Sequence, residues 1–408
     1  MKAVELFAGA GGLGMGLSLA GFKPEAVVEW DHDACETLRA NQLRGFPLVR
    51  DWPLQEGDVR KWIADFNSTQ GGTDIDIVAG GPPCQPFSLG GKHAAFDDRR
   101  DMFPVAVEVV RRLQPRAFIF ENVRGLTRPA FHDYFQYIKL QLEFPEVIRP
   151  VNWSWADHFH QLQQVKSSKG RGSTGLTYNV QSHLLNAANF GVPQRRERVF
   201  IVGFRADLGV KWDLPRETHS LDALLYDQWV GGGYWARHRI PSRQRPEIAP
   251  AFRDAVDRMG GLRLTPSLAP WRTVKDAFDG LTDPEVRQLP GIQHRLQPGA
   301  RIYAGHTGSP LHLPAKTLKA GDHGVPGGEN MLVKPDGSVR YFTVRESARL
   351  QTFPDGFMFH GSWSESMRQL GNAVPVALAH LVAASVAERL IQGKMREIGA
   401  RVARQVAA

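Results

Sequence analysis

Residues 2–30, KAVELFAGAGGLGMGLSLAGFKPEAVVEW, decide how this chain is to be read. Lys2-Ala3-Val4-Glu5-Leu6-Phe7 reads as a short strand. Ala8-Gly9-Ala10-Gly11-Gly12-Leu13-Gly14 is a glycine loop, and Met15 to Ala20 has helical character. Ala26-Val27-Val28-Glu29-Trp30 is a second strand that ends in a carboxylate. Strand, glycine turn, helix and strand open a parallel α/β sheet. Glycines at such a turn let the backbone approach a ligand and let a helix N-terminus face it, and an acid closing the second strand can hold a ribose diol. The spacing departs from the dinucleotide fingerprint G-x-G-x-x-G, so the loop taken alone is equally a tight turn. Glu29 beside Trp30, a carboxylate next to an indole able to stack on adenine, favours the cofactor reading.

Outward from this stretch the same rhythm continues. Asp33 to Asn41 has helical spacing, Ile75-Asp76-Ile77-Val78-Ala79 and Ala117-Phe118-Ile119-Phe120 read as strands, and Phe103 to Leu113 is helical between them. Another strand falls at Arg198 to Phe204. The fold expected is α/β, a doubly wound and mostly parallel sheet. Val165 to Gly175 (VKSSKGRGSTG) reads as a basic, glycine-containing loop. From 213 to 342 prolines, glycines, histidines and arginines dominate and the rhythm is lost. Thr343 to Gln351 and Trp363 to Leu390 are again helical, the second broken at Gly371-Asn372-Ala373-Val374-Pro375. The expected division is 1–212, a smaller irregular domain at 213–342, and a segment 343–408 returning to the first.

The 408 residues are 42% hydrophobic and 23% charged, the balance of a soluble globular protein. Lys+Arg exceed Asp+Glu by 50 to 42, a net charge of +8 that suits a polyanionic partner without requiring one. No unbroken apolar run reaches about eighteen residues and no basic-then-apolar leader opens the chain, so a cytoplasmic protein with no membrane partner is expected. Two cysteines, Cys35 and Cys84, are too few for a disulfide scaffold or a cysteine-rich zinc site, and no metal is expected. Cys35 has the setting of a small buried hydrophobe.

Cys84 has different company. In Gly80-Gly81-Pro82-Pro83-Cys84-Gln85-Pro86-Phe87-Ser88 two glycines and three prolines stiffen a loop at a strand's carboxyl end, the edge where open α/β sheets bind ligands. A thiol held there is placed for nucleophilic attack. Phe120-Glu121-Asn122-Val123 ends a later strand with a carboxyl group able to protonate a ring nitrogen. Gln194-Arg195-Arg196-Glu197-Arg198 offers guanidinium donors for a carbonyl oxygen or a phosphate. Taken alone, the last two stretches read rather as a capping or surface acid and a solvated charged run.

The ordered set resembles the DNA cytosine-5 methyltransferase family from Val4 to about Ala384. Leu6 to Gly12 is similar to its first cofactor motif, Glu29-Trp30-Asp31 and Gly57-Asp58-Val59 to the second and third, and Gly81 to Ser88 to the nucleophile motif. Glu121-Asn122-Val123, Gln194 to Arg198, Thr343 to Gln351 and Gly371-Asn372-Ala373-Val374 follow in family order. The resemblance implies an S-adenosylmethionine-dependent, Rossmann-like enzyme that flips a cytosine from double-stranded DNA. Cys84 would add to C6, Glu121 would meet N3, Arg198 would hold O2, and Arg196 would orient the nucleophile loop or a phosphate.

Cofactor residues carried over are Phe7, Gly9, Gly11, Gly12, Glu29, Trp30, Asp58, Val59, Pro83, Met102, Asn372 and Val374. Glu29 takes the ribose hydroxyls and Asp58 the adenine amino group. Residues 213–342 occupy the target-recognition position, with Pro314-Ala315-Lys316-Thr317-Leu318 resembling its Thr-Leu element. DNA contacts are expected from Gln85, Ser88, Arg237, Arg239, Thr317 and Leu318. The extra 165–175 segment departs from the compact pattern. The first motif standing at the start suggests a bacterial stand-alone enzyme, monomeric, paired functionally with a restriction endonuclease. A tRNA cytosine-5 methyltransferase, a catalytically silent DNA-binding homologue and a nicotinamide oxidoreductase are the rival readings.

Overall fold

A computed structural model describes residues 1–66, 74–83, 101–168, 175–262, 265–302, 307–320 and 328–407. Cys84, Gln85 and Ser88 lie outside them. β1 (Lys2–Leu6), β2 (Lys23–Glu29), β3 (Leu54–Glu56), β4 (Ile77–Gly80), β5 (Ala117–Val123), β6 (Tyr178–Asn186) and β7 (Glu197–Arg205) form one sheet in the order β3-β2-β1-β4-β5-β7-β6. The strands run parallel except β7, which is antiparallel to both of its neighbours. The mostly parallel, doubly wound sheet expected from the sequence is therefore present.

Strand alternation sends successive side chains to opposite faces. Val4, Leu6, Val78, Phe118 and Phe120 enter one apolar core. It is completed by α3 (Val59–Asp65), α4 (Phe103–Leu113), α5 (His132–Glu143) and α6 (Trp155–Ser168). Ala3, Ile77, Ala79, Ile119 and Phe200 enter the core on the other face. There α1 (Gly12–Leu19) packs beside α13 (Val376–Ala407). The helical stretch Trp363–Met395, which runs into α13, is long and apolar enough by composition to cross a membrane, yet its Leu378, Val382, Val386 and Leu390 are buried on the sheet.

α1 begins at Gly12, three residues before the helix expected from sequence. Its glycines are poor helix formers, and tertiary contact outweighs that. A Cβ on Gly12 would lie 2.3 Å from the Val374 carbonyl oxygen, and one on Gly14 would lie 2.0 Å from Glu5 Oε2. α2 (His32–Leu43) is N-capped by Asp31, whose side chain accepts from the Ala34 amide. β3 and β6 went unread because both are polar edge strands, where one flank faces water and alternation fades. α6 also takes in residues 165–168 of the stretch read as a loop, and α13 runs well past Leu390.

The 213–342 segment is built of short pieces. β8 (His219–Ser220) pairs with β9 (Ala269–Pro270) beside α7 (Leu221–Leu225), α8 (Gly233–Arg237) and α9 (Pro250–Leu262). Leu224, Tyr234, Trp235 and Trp271 form a small core of their own with Ala188. From α10 (Val274–Ala277) onward the chain joins a different core. Val274, Phe278, Leu318, Leu332 and Phe342 pack with Leu38 of α2 and with α11 (Val344–Leu350) and α12 (Trp363–Asn372). A three-stranded sheet, β10 (Ser309–Pro310), β11 (Met331–Val333) and β12 (Val339–Tyr341), closes this part.

Candidate active site

β1 lies between β2 and β4, so connections leave it in opposite directions and open a crevice at the carboxyl ends of the strands. The residues expected to hold a cofactor lie along this edge. Phe7 and Gly9 have φ of 55° and 54°. The backbone turns sharply as β1 ends, and a phenylalanine in the left-handed region is strain of the kind concentrated at ligand sites.

The Glu29 carboxylate, 5% exposed, accepts the amides of Gly9 (2.6 Å), Trp30 (2.8 Å) and Asp31 (2.8 Å). It therefore clamps the glycine loop to the end of β2, a task not foreseen from the sequence. Burial pushes its carboxyl upward while the three amides pull it down. A carboxylate offers about four acceptor directions, so one remains for a hydroxyl. Trp30 next to it is 72% exposed, an indole face presented to the crevice edge. Buried acid and bare aromatic together fit a ribose and a purine.

Asp58 caps α3, and Arg60 holds both of its oxygens, with the amide and Nε on Oδ1 and the terminal nitrogen on Oδ2. An adenine amino group would have to share that carboxylate with Arg60. Val59 is buried beside it. The Met102 amide donates to the Pro83 carbonyl (3.4 Å), so the two ends of the segment containing Cys84 meet. Val374 touches the glycine loop through Gly12, as the space there requires, and Asn372 is exposed at the end of α12.

Glu121 and Arg198 come together on neighbouring strands. Glu121 faces Phe200 across the β5–β7 ladder and Arg198 faces Val123, a diagonal that brings Arg198 Nε to 2.8 Å from Glu121 Oε1. Both are buried. Burial pushes the Glu121 carboxyl above its ordinary range, against the pull of Arg198 and Arg196, and pushes the Arg198 guanidinium down. A Cβ on Gly81 would sit 3.5 Å from Glu121 Oε2, so the described start of the Cys84 loop abuts this pair. Asn122 adds a tie missed in the sequence: its Nδ2 donates to the Pro82 carbonyl at 2.9 Å.

Other expectations are corrected. Arg196, fully buried, donates to the carbonyls of Leu318 (3.0 Å), Gly371 (2.7 Å) and Ala373 (2.9 Å). It therefore ties the chain entering β7 to two distant segments and does not reach the surface. Leu318, 1% exposed, is a core side chain and not a DNA-reading one. The Thr317 hydroxyl donates to the Arg195 carbonyl at 2.7 Å. Arg237 is held by Asp227 and lies over the Tyr234 ring, whereas Arg239 is exposed, with no partner among the described residues. Gln194, quoted in the arginine motif without a role, is a second staple: its Oε1 accepts the Leu318 amide and its Nε2 donates to the Leu350 carbonyl.

The doubly wound sheet, its clamped glycine loop and the buried Glu121–Arg198 pair at its carboxyl edge are the arrangement of a Rossmann-like methyltransferase. The family model described as C-5 cytosine-specific DNA methylase matches residues 1–145, 165–254 and 285–388. The chain belongs to that family, and it is a DNA (cytosine-5) methyltransferase. It is 30% identical over 396 residues to the Type II methyltransferase M.NgoMIV of Neisseria gonorrhoeae, covering 95% of this chain and 97% of the relative. It is 31% identical over 403 residues to M.Eco47II of Escherichia coli, covering 95% and 79%. The S. pombe Dnmt2 methyltransferase structure shares the fold with a TM-score of 0.53 at 17% identity, covering 96% of this chain and 99% of that one.

Proposed function

We propose that this chain methylates cytosine C5 within one short sequence of double-stranded DNA, by base flipping and a covalent Cys84–C6 adduct. Cytosine C5 is a weak nucleophile, and addition of a thiolate at C6 makes it enamine-like, which divides one hard step into two easier ones. Glu121, with its carboxyl held high by burial, is suited to donate a proton or hydrogen bond to N3 as the thiolate adds. Arg198 is suited to the cytosine O2, where negative charge gathers. Loss of the C5 proton then expels the Cys84 thiolate. S-adenosylmethionine supplies the methyl group, and Glu29, Trp30, Asp58, Phe7 and Asn372 would hold it. The ring cannot be reached inside a duplex, so extrusion is needed at roughly a few kcal/mol.

The observation that carries this reading is the buried Glu121–Arg198 pair abutting the loop that leads into Cys84. Residues 213–342 are the target-recognition region in this account, with Arg239 free for a phosphate. A monomer in the bacterial cytoplasm, paired functionally with a restriction endonuclease, completes the proposal. The comparisons favour none of the rival readings. Purified wild type and Cys84→Ser should be compared for methyl transfer to DNA and for cofactor binding. Turnover should vanish in Cys84→Ser while cofactor affinity stays within a few-fold; turnover at the wild-type rate would refute the mechanism.

A further inference from the structure

We infer that Arg195 grips a DNA phosphate beside the extruded cytosine, an inference that rests on the reading of the chain as a DNA methyltransferase. In the run Gln194 to Arg198 side chains alternate. Gln194, Arg196 and Arg198 turn inward and are buried, and Arg195 and Glu197 turn outward. Every inward member has a partner: Gln194 on Leu318 and Leu350, Arg196 on its three carbonyls, Arg198 on Glu121. Glu197 is paired with Arg124 at 2.5 Å. Arg195 alone among the five has its side chain exposed and without a partner among the described residues.

Its backbone is anything but loose. The Arg195 amide donates to the Ala315 carbonyl at 2.8 Å, and its carbonyl accepts the Thr317 hydroxyl at 2.7 Å. Gln194 and Ala315 form a parallel bridge. The guanidinium therefore projects from a ladder that joins the sheet to the 213–342 segment. A free arginine on a rigid support loses little entropy in gripping an anion, and its planar fork matches a phosphate. Because Arg124 neutralises Glu197, no unpaired acid in the run opposes that charge.

Position selects the anion. Arg195 lies three residues before Arg198, just ahead of β7, and so at most about 10 Å from it along the chain. A nucleotide drawn out until its ring meets Glu121 and Arg198 keeps its flanking phosphates outside the pocket, on the same edge of the sheet. A phosphate contact positions the strand and carries no sequence information. Arg195 should thus act on affinity and on its salt dependence, not on which sequence is chosen.

The test uses full-length protein and a duplex bearing the site mapped for the wild-type enzyme. Binding is measured over a range of salt, and again with single phosphates around the target cytosine replaced by uncharged methylphosphonates. Arg195→Gln should weaken binding roughly tenfold near 0.1 M salt and lower the salt slope by about 0.9. Arg195→Lys should keep the slope. One neutral phosphate should cost wild type about as much as the substitution does, and cost Arg195→Gln nothing further. Cofactor affinity and thermal stability should not move, which separates a DNA contact from a structural role. An unchanged slope, or equal sensitivity of wild type and Arg195→Gln at every phosphate, overturns the inference. Failure of the wild type to methylate any DNA would instead overturn the reading on which it rests.

Discussion

Replacing Glu5 by glutamine should make this protein more stable at neutral and alkaline pH. Glu5 sits in the central strand β1, 2% exposed, with its carboxyl beneath the first turn of α1 against Gly14 and Trp52. Among the described residues neither oxygen has a well-formed hydrogen bond. Burial pushes the carboxyl up to about 8, the Gly14 amide draws it back in part, and the negative charge of Glu29 raises it further. In the unfolded chain the same group titrates near 4.5.

Between those values the folded protein keeps a proton that the unfolded chain has lost. The contribution of Glu5 is therefore most favourable below pH 4.5 and is lost as pH rises through about 8. At about 1.4 kcal/mol for each pH unit, the loss reaches roughly 3–5 kcal/mol on the alkaline side. Glutamine has the same shape and no charge to desolvate. Thermal and urea unfolding of wild type and Glu5→Gln from pH 5 to 9 should give curves that nearly meet at pH 5 and diverge steadily towards pH 8, with the variant the more stable. Curves that stay parallel across that range would show that Glu5 does not hold a proton in the fold.

Glu29→Ala should raise the cofactor dissociation constant far more than it alters DNA binding, measured by calorimetry and anisotropy; equal effects on both would remove the ribose assignment. Arg60→Ala removes the guanidinium from both oxygens of Asp58, leaving only the residue-60 amide on Oδ1, and should tighten cofactor binding about twofold to fivefold, the worth of an exposed ion pair. Weaker binding would mean that Arg60 itself touches the cofactor. Arg196→Ala takes a donor from three buried carbonyls, of which Ala373 keeps only the Gln351 amide, and should destabilise the fold by roughly 3 kcal/mol, read as a fall in melting temperature. Arg196→Lys should recover only part, because one ammonium cannot span carbonyls on two segments. A melting temperature equal to wild type would contradict the stapling role.

What the sequence could disclose depended on how local the determinant was. The β1 loop, Glu29, α4 and the Glu121 strand end were legible because each is written in adjacent residues: alternation, glycine, helical spacing, a strand closing on an acid. The second task of Glu29 and the carbonyl partners of Arg196 were not. They depend on which backbone groups the tertiary fold carries to those side chains from as far away as Gly371 and Ala373. Leu318 was misjudged for the same reason. The Thr-Leu resemblance marks the element without saying which way its side chains face, and only the packing of Leu318 against α2, α11 and α12 shows that it points inward. The edge strands β3 and β6 lacked the apolar alternation that marked the central ones.

The most direct test of the account is whole-genome bisulfite sequencing of a bacterial host free of cytosine methylation, expressing either the wild-type chain or Cys84→Ser. The account predicts protected cytosines in one short sequence context with wild type and none with Cys84→Ser. Soluble wild-type protein that leaves every cytosine unprotected, or protection that persists with Cys84→Ser, would contradict it.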